Sequence, residues 1–357
     1  MAGEKRRRPI TACHAQFQGA ISQFLNREER QWSDVVSYAG EWDQDELESF
    51  PMRASCIKPS TKIENLNITL RVRLLRYIFD SLPEFEEAVE AFDRAHLLEP
   101  KVCRVKEIIE SIEMYKFVRD FLLSLQHRKH IDRVLDVACG HGLVGILLAR
   151  RFPSLQVTSL DLVARPAFDV FRDGWDASMR ERGQRSLGNV EKLEGDFRDH
   201  LELVTETTLV LSVHGCNEVN NLVIETARSR SAAWAALPCC IRDSLFLPSS
   251  KVHLMDGCAA KASKYFREFQ GVRHAFFCGC MMEKYEAERL SMYGGRAHNY
   301  LQILRSMDSR ITDKGIFLAG GRYISVCGPL SLRRALRGKM KLGTPYTVEW
   351  NIKRLAA

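Results

Sequence analysis

Residues 134–142 read VLDVACGHG, an apolar segment that carries one acid near its end and turns on two glycines. Val134, Leu135 and Val137 have the β-branched and aliphatic character of a strand buried on both faces, as parallel strands are. Cys139-Gly140-His141-Gly142 supplies a tight turn, and Leu143 to Arg151 continues as a helix that is apolar where it would pack on a sheet. Arg150 and Arg151 fall in its last turn, where cations suit the helix dipole. A strand, a glycine turn and a helix in that order make a cradle for a nucleotide.

Two kinds of cofactor compete for such a turn. Gly140, Gly142 and Gly145 spell G-x-G-x-x-G, with the acid Asp161 about 20 residues on, which is the dinucleotide pattern. Asp136 decides between them. A carboxylate beside the turn would repel the pyrophosphate that NAD or FAD places at the helix N-terminus. S-adenosylmethionine has no phosphate and carries an ammonium group that a carboxylate attracts. The spacing Asp136-x-x-Cys139-Gly140-x-Gly142 therefore favours the sulfonium cofactor, and an NAD-dependent oxidoreductase is the distant alternative.

Two further strands keep to the pattern. Gln156 to Leu162, QVTSLDL, ends in Asp161, an acid placed to accept hydrogen bonds from both ribose hydroxyls. Asn189 to Phe197 reads as a short strand followed by Asp196 and Phe197, an acid for an adenine amino group next to an aromatic for its ring. Each aspartate also has an ordinary structural role open to it: Asp136 as a cap or turn acid, Asp161 as a solvated strand end, Asp196 as an Asx-turn residue. Their recurrence at three successive strand ends sets the functional reading apart. Here the chain resembles the class I S-adenosylmethionine-dependent methyltransferases over roughly residues 105 to 325, through Asp136 to Gly142, Asp161 and Asp196. The resemblance implies a Rossmann-like, doubly wound seven-stranded α/β sheet with one antiparallel strand. It also implies a cofactor set of Asp136, Cys139, Gly140, Gly142, Asp161, Leu162, Asp196 and Phe197.

The 357 residues suffice for one large α/β domain with an extension. A hydrophobic content of 45% and a charged content of 27% are those of a soluble globular protein, and no membrane span is expected. MAGEKRRRP lacks a secretory apolar core, so a cytoplasmic or nuclear location is expected. The 11 cysteines are an odd number in a large chain, which argues for reduced thiols. Neither Cys239-Cys240 nor Cys278-Gly279-Cys280 gives the paired spacing of a zinc site, and no metal is expected. The net charge of +7 gathers at Lys5 to Arg8 and at Arg333, Arg334, Arg337, Lys339 and Lys341. Such clusters neutralise phosphates or form solvated faces, so the charge leans mildly towards nucleic acid.

Helical periodicity marks Ala12 to Phe24, Leu70 to Phe79, Glu84 to Leu98 and Glu107 to Leu125, with Pro83 where a helix could begin. Residues 1–104 are read as an N-terminal helical extension over the cofactor pocket or the substrate, and 105–357 as the methyltransferase domain. Thr208 to Val213 is a fourth strand, Leu222 to Arg228 a helix, and Ala232 to Leu237 a fifth strand. Ser263 to Phe269 and Tyr285 to Met307 read as helices, and Gly315 to Ala319 and Tyr323 to Cys327 as the closing strands.

In such a sheet the residues after strands four and five meet the transferred methyl group. They are His214-Gly215-Cys216-Asn217-Glu218 and Pro238-Cys239-Cys240-Ile241-Arg242. The acid or amide, two prolines and aromatic of the amino-methyltransferases are absent. His214, Cys216, Cys239 and Cys240 instead resemble eukaryotic transfer-RNA ribose methyltransferases in part, with Val213, Asn217 and Ile241 where that group has lysine, glycine and histidine. His214 is the natural general base, Glu218 its alternative and Asn217 a hydrogen-bonding positioner. A strand-end histidine held by backbone groups is the competing account. Cys239 and Cys240 read as packing, with a thiolate adduct as the rival. Methyl transfer to RNA, with transfer RNA as a lead, is the leading expectation. A protein or small-molecule acceptor and a catalytically silent scaffold remain open.

Overall fold

Apolar strands alternating with amphipathic helices bury their faces by layering helices on a sheet, and the order of elements follows the chain's apolar pattern. The computed structural model describes residues 60–99, 104–125, 129–163, 165–215, 218–239, 270–292, 300–307, 311–312 and 314–322, with 17, 19–22 and 26. Both basic clusters, the predicted helix Ser263 to Phe269 and the predicted strand Tyr323 to Cys327 lie outside the described residues. After the 3-10 turn Ile63–Asn65 come three α-helices: Ile68–Ser81 (α1), Ala88–Leu98 (α2) and Val105–Leu125 (α3). Pro83 lies in the turn before α2 and does not open it. Then follow Arg133–Val137 (β1), Leu143–Arg151 (α4), Gln156–Asp161 (β2), Pro166–Glu181 (α5), Val190–Glu194 (β3) and Thr208–Val213 (β4). Val219–Ser229 (α6), Ala233–Leu237 (β5), Gln270–Met292 (α7), Tyr300–Ser306 (β6) and Ile316–Arg322 (β7) complete the described elements.

The strands form one seven-stranded sheet in the order β3-β2-β1-β4-β5-β7-β6. β7 runs antiparallel to β5 and β6, while β2–β3, β1–β4 and β4–β5 are parallel. This is the mixed, Rossmann-like sheet of the class I methyltransferase fold. One expectation is corrected: the helix predicted from Tyr285 to Met307 stops at Met292, and Tyr300–Ser306 is a strand. β6 is an edge strand paired with β7 alone, so its half-exposed sequence lacks the apolar run of an interior strand.

The chain gathers into two compact units, Met1–Tyr115 with Cys139–Glu194, and Lys116–Ala138 with Gly195–Ala357. In the first, α2 lies close on α5 because Gly174 has no side chain: a Cβ there would meet the Ala91 carbonyl at 2.8 Å. Around this approach the Trp175 ring meets Phe85 and Phe92 edge-on at 5.5 and 6.1 Å, and Phe92 meets Phe171 at 6.1 Å. Arg150 does more than complement a helix dipole. Its Nε donates to Glu87, a fully buried carboxylate, its Nη2 donates to Gln184 at 3.0 Å, and its guanidinium lies 5.7 Å from the Phe85 ring.

In the second unit β5, buried at every position, is flanked by β4 and β7. Phe117 of α3 stacks on Phe317 of β7 at 5.3 Å, and Arg305 of β6 reaches Asp120 of α3 at 3.1 Å.

Breaking a buried ion pair from one side leaves an uncompensated charge, which costs about 3–5 kcal/mol. Arg150→Ala is therefore expected to lower unfolding stability by about 3 kcal/mol in urea titrations. Arg151→Ala, at an exposed neighbour, is expected to stay within about 0.5 kcal/mol of the parent. Equal effects of the two substitutions would contradict the role assigned to the Glu87 pair.

Candidate functional site

The strand order reverses between β1 and β4, the point at which open α/β sheets take ligands beyond their carboxyl ends. Both strands belong to the second unit. Their register sets Val137 opposite Ser212, and Val213 opposite Leu237 on β5. Asp136, one residue before the end of β1, is only 1% exposed. A carboxylate buried at that place suits a cationic group far better than an anionic one.

β4 leads into His214, whose φ of 55° lies in the left-handed region, which histidine enters more readily than most side chains. The His214 N–H donates to the Leu237 carbonyl at 3.0 Å and carries the β4–β5 ladder one residue beyond the strand. The Cys239 thiol donates to the His214 carbonyl at 3.8 Å, so the ends of β4 and β5 are tied twice. The Asn220 side-chain amide of α6 donates to the Gly215 carbonyl. His214 is half-buried and Glu218 is exposed just before α6. Asn217, with Cys216 and Cys240, lies outside the described residues.

After β3, Asp196 caps the 3-10 turn Phe197–Leu203. Its carboxylate accepts the Arg198 backbone N–H at 2.9 Å, Nε at 3.1 Å and Nη2 at 2.9 Å. The Arg198 fork, and then its backbone N–H, hold the Asp196 carboxyl below its usual range. Arg198 is pushed up in return, by Asp196 foremost and by Asp199 and Glu218 in addition. Asp196 thus takes the capping role open to it from sequence, and a carboxylate with about four lone-pair sites keeps one beyond these three contacts. Phe197 is buried at 5% exposure.

In the first unit, Gly140 and Gly142 have φ of 60° and 66°, and Ala138, just before that unit's segment, has 56°. The Gly142 N–H donates to the Cys139 carbonyl at 2.9 Å and closes the turn, while the Cys139 N–H reaches the Leu160 carbonyl of β2 at 3.2 Å. Asp161 Oδ2 accepts the Gly140 N–H at 2.8 Å. Phe168 of α5 explains why Gly142 is glycine: a Cβ there would lie 2.4 Å from its Cδ2. Leu162 and Val163, immediately after Asp161, are 67% and 63% exposed, a small apolar surface beside the acid.

Sequence reasoning missed Arg198 as the partner of Asp196, and the spacing Asp196-x-Arg198 is the signal that could have found it. It also gave His141 no role, although the Leu143 N–H donates to His141 Nδ1 at 3.2 Å.

The chain matches no family model. It is 26% identical over 118 residues to a Mus musculus protein described as glutathione S-transferase C-terminal domain-containing protein, a match covering 33% of this chain and 17% of that one. A Homo sapiens protein of the same description is 26% identical over 109 residues, with 30% and 16% covered. The matched stretch thus spans less than a fifth of these relatives. Among solved structures, precorrin-6y C5,15-methyltransferase of Geobacter metallireducens GS-15 aligns at 10% identity and a TM-score of 0.30, covering 57% of this chain and 87% of that one. The antibiotic-resistance methyltransferase Kmr aligns at 14% and 0.30, with 55% and 89% covered. An O-methyltransferase family protein of Burkholderia thailandensis aligns at 14% and 0.29, with 71% of each covered.

The turn yields a graded set of expectations, each measured as urea unfolding free energy. Gly140→Ala, with open space around its Cβ, should cost only the left-handed strain, about 1–2 kcal/mol. Gly142→Ala adds the collision with Phe168 and should cost about 3 kcal/mol. Ala138→Gly should stabilise by about 0.5 kcal/mol, because relief of strain exceeds the entropy that glycine adds to the unfolded chain. Equal losses at Gly140 and Gly142 would show that the Phe168 contact does not decide the residue there.

Proposed function

We propose that the chain is an S-adenosylmethionine-dependent methyltransferase. The observation that carries the reading is the pairing of acids with the turn. Asp136 is buried one residue before the end of β1, ahead of the turn, and Asp161, which ends β2, accepts the Gly140 N–H within it. A buried carboxylate at Asp136 suits an ammonium group rather than a phosphate, and an acid that ends β2 suits ribose hydroxyls. In this reading Asp136, Cys139, Gly140 and Gly142 hold the amino-acid end. Asp161 and Leu162 take the ribose, and Asp196 and Phe197 the adenine.

When bound, the sulfonium supplies an already activated methyl group. What is left to the chain is to align the attacking atom, exclude water and receive a proton. His214 is proposed to receive the proton, held at the end of β4 by the Leu237 and Cys239 contacts. Glu218 is its alternative and Asn217 the positioner. RNA is the proposed acceptor class, supported by the net charge of +7 and by the partial likeness after the fourth and fifth strands, with transfer RNA as the lead.

The experiment is transfer of labelled methyl groups from S-adenosylmethionine into RNA, protein and small-molecule fractions of cells lacking the protein. Label in RNA, with binding that weakens steeply as salt rises, is the expected result. Label confined to protein or metabolites overturns the RNA assignment, and cofactor binding without any transfer overturns the enzymatic one. Asp136→Ala should abolish measurable cofactor binding in calorimetry while the far-ultraviolet circular dichroism stays unchanged. His214→Ala should lower turnover by about 100-fold, the usual worth of a general base, with cofactor affinity nearly constant. Undiminished turnover would remove His214 from the mechanism.

A further inference from the structure

The first four amides of a helix have no acceptor within it, and at α4 the cap residue is Gly142, which has no side chain to offer one. His141, one residue earlier, fills the vacancy: its Nδ1 accepts the Leu143 N–H at 3.2 Å. The ring is steadied from the side, with Phe171 of α5 at 5.4 Å, and Phe171 in turn rests on Phe92 of α2 at 6.1 Å. A line of aromatic contacts therefore runs from the helices before the sheet to the middle of the glycine turn. Nδ1 can accept only while it carries no proton, so the imidazole in this geometry is the neutral tautomer with its hydrogen on Nε2.

We propose that His141 is the positioning residue of the cofactor turn, and that it acts only as a neutral imidazole. The proposal rests on the cofactor reading above and deepens it. Protonation removes the acceptor and sets a cation at a helix N-terminus, where the dipole disfavours it. Freed from its cap, the first turn of α4 loosens, and with it the Cys139-to-Gly142 segment that would face the cofactor. Imidazole titrates between about pH 5 and 8, so the turn senses pH in the physiological range.

Charged groups on the elements around this ring are mostly paired with one another, among them Arg94 of α2 with Glu181 of α5 and Glu90 of α2 with Arg182. Asp161 ends β2 with one oxygen on Gly140. On α5, Asp169 and Asp173 both pair with Arg172, and Lys192 of β3 reaches Asp169. Asp93 and His96 flank Phe92 on α2, and α4 has no titratable side chain before Arg150.

The test compares the full chain with His141→Asn and His141→Leu by calorimetry with S-adenosylmethionine from pH 5.5 to 8.5. Asparagine keeps a side-chain acceptor for an N–H two residues on and cannot titrate there. Leucine keeps bulk and loses the acceptor. Affinity of the parent should fall about tenfold from pH 8 to pH 5.5, the scale of one lost cap combined with an unfavourable helix-end charge. His141→Asn should rescue binding at pH 5.5, and His141→Leu should bind weakly at every pH. His200 and His214 are common to all three proteins, so the difference between the profiles isolates His141. Parallel profiles for the parent and His141→Asn would overturn the proposal, as would parent-like binding by His141→Leu at pH 8.

A second readout separates this claim from the cofactor reading. Protection of the Leu143 amide against hydrogen exchange, measured without cofactor, should drop below about pH 6 in the parent and not in His141→Asn. That result with no cofactor binding at any pH would uphold the cap and sink the cofactor assignment. Protection that is identical in the two proteins would sink the cap itself.

Discussion

The hydrogen bond from the Gly140 N–H to the Asp161 carboxylate, 2.8 Å long, is the contact on which the glycine turn depends. It joins the end of β2 to a loop that must reverse within five residues, and it does so with a charged acceptor, roughly twice as strong as a neutral one. With the loop pinned at Gly140, the backbone passes through left-handed conformations at Ala138, Gly140 and Gly142, each side of the fixed point. Gly142 must then lie against Phe168, and α4 must leave in the direction that buries Leu143 to Ala149.

The structural role of Asp196 leaves room for the binding role proposed for it. As the cap of a 3-10 turn it is held rigid by three donors, so its remaining acceptor site points in a defined direction. Arg198 is itself exposed and keeps its charge next to Asp199 and Glu218. An exposed pair of this kind is screened by salt, which makes it an interaction of modest strength.

The interior of the fold was legible because burial on both faces leaves a local imprint. β1, β4 and β5 are mostly apolar and almost wholly buried, and their bounds follow the sequence to within a residue. β6 was not legible, since an edge strand with one wet side carries a mixed pattern that a helix can imitate. The three aspartates were legible by their spacing relative to strand ends. Their partners were not: Arg150 finds Glu87 across 63 residues, and the reason for Gly142 is a phenyl ring 26 positions later. Such choices are made by tertiary packing, which leaves no periodic trace in either segment.

The ends of β4 and β5 set a limit on how the cysteines there can act. His214 is held in a left-handed conformation that costs about 1–2 kcal/mol, and such strain persists only where surrounding contacts over-determine it. Two contacts do so, the ladder bond to Leu237 and the thiol of Cys239 on the His214 carbonyl. A thiol that donates its hydrogen to a carbonyl is protonated, and the protonated form is not the nucleophile. Using Cys239 as a thiolate would therefore remove one of the restraints on the residue proposed to accept the proton. The two roles compete: a thiol that holds the backbone at His214, and a thiolate that would release it.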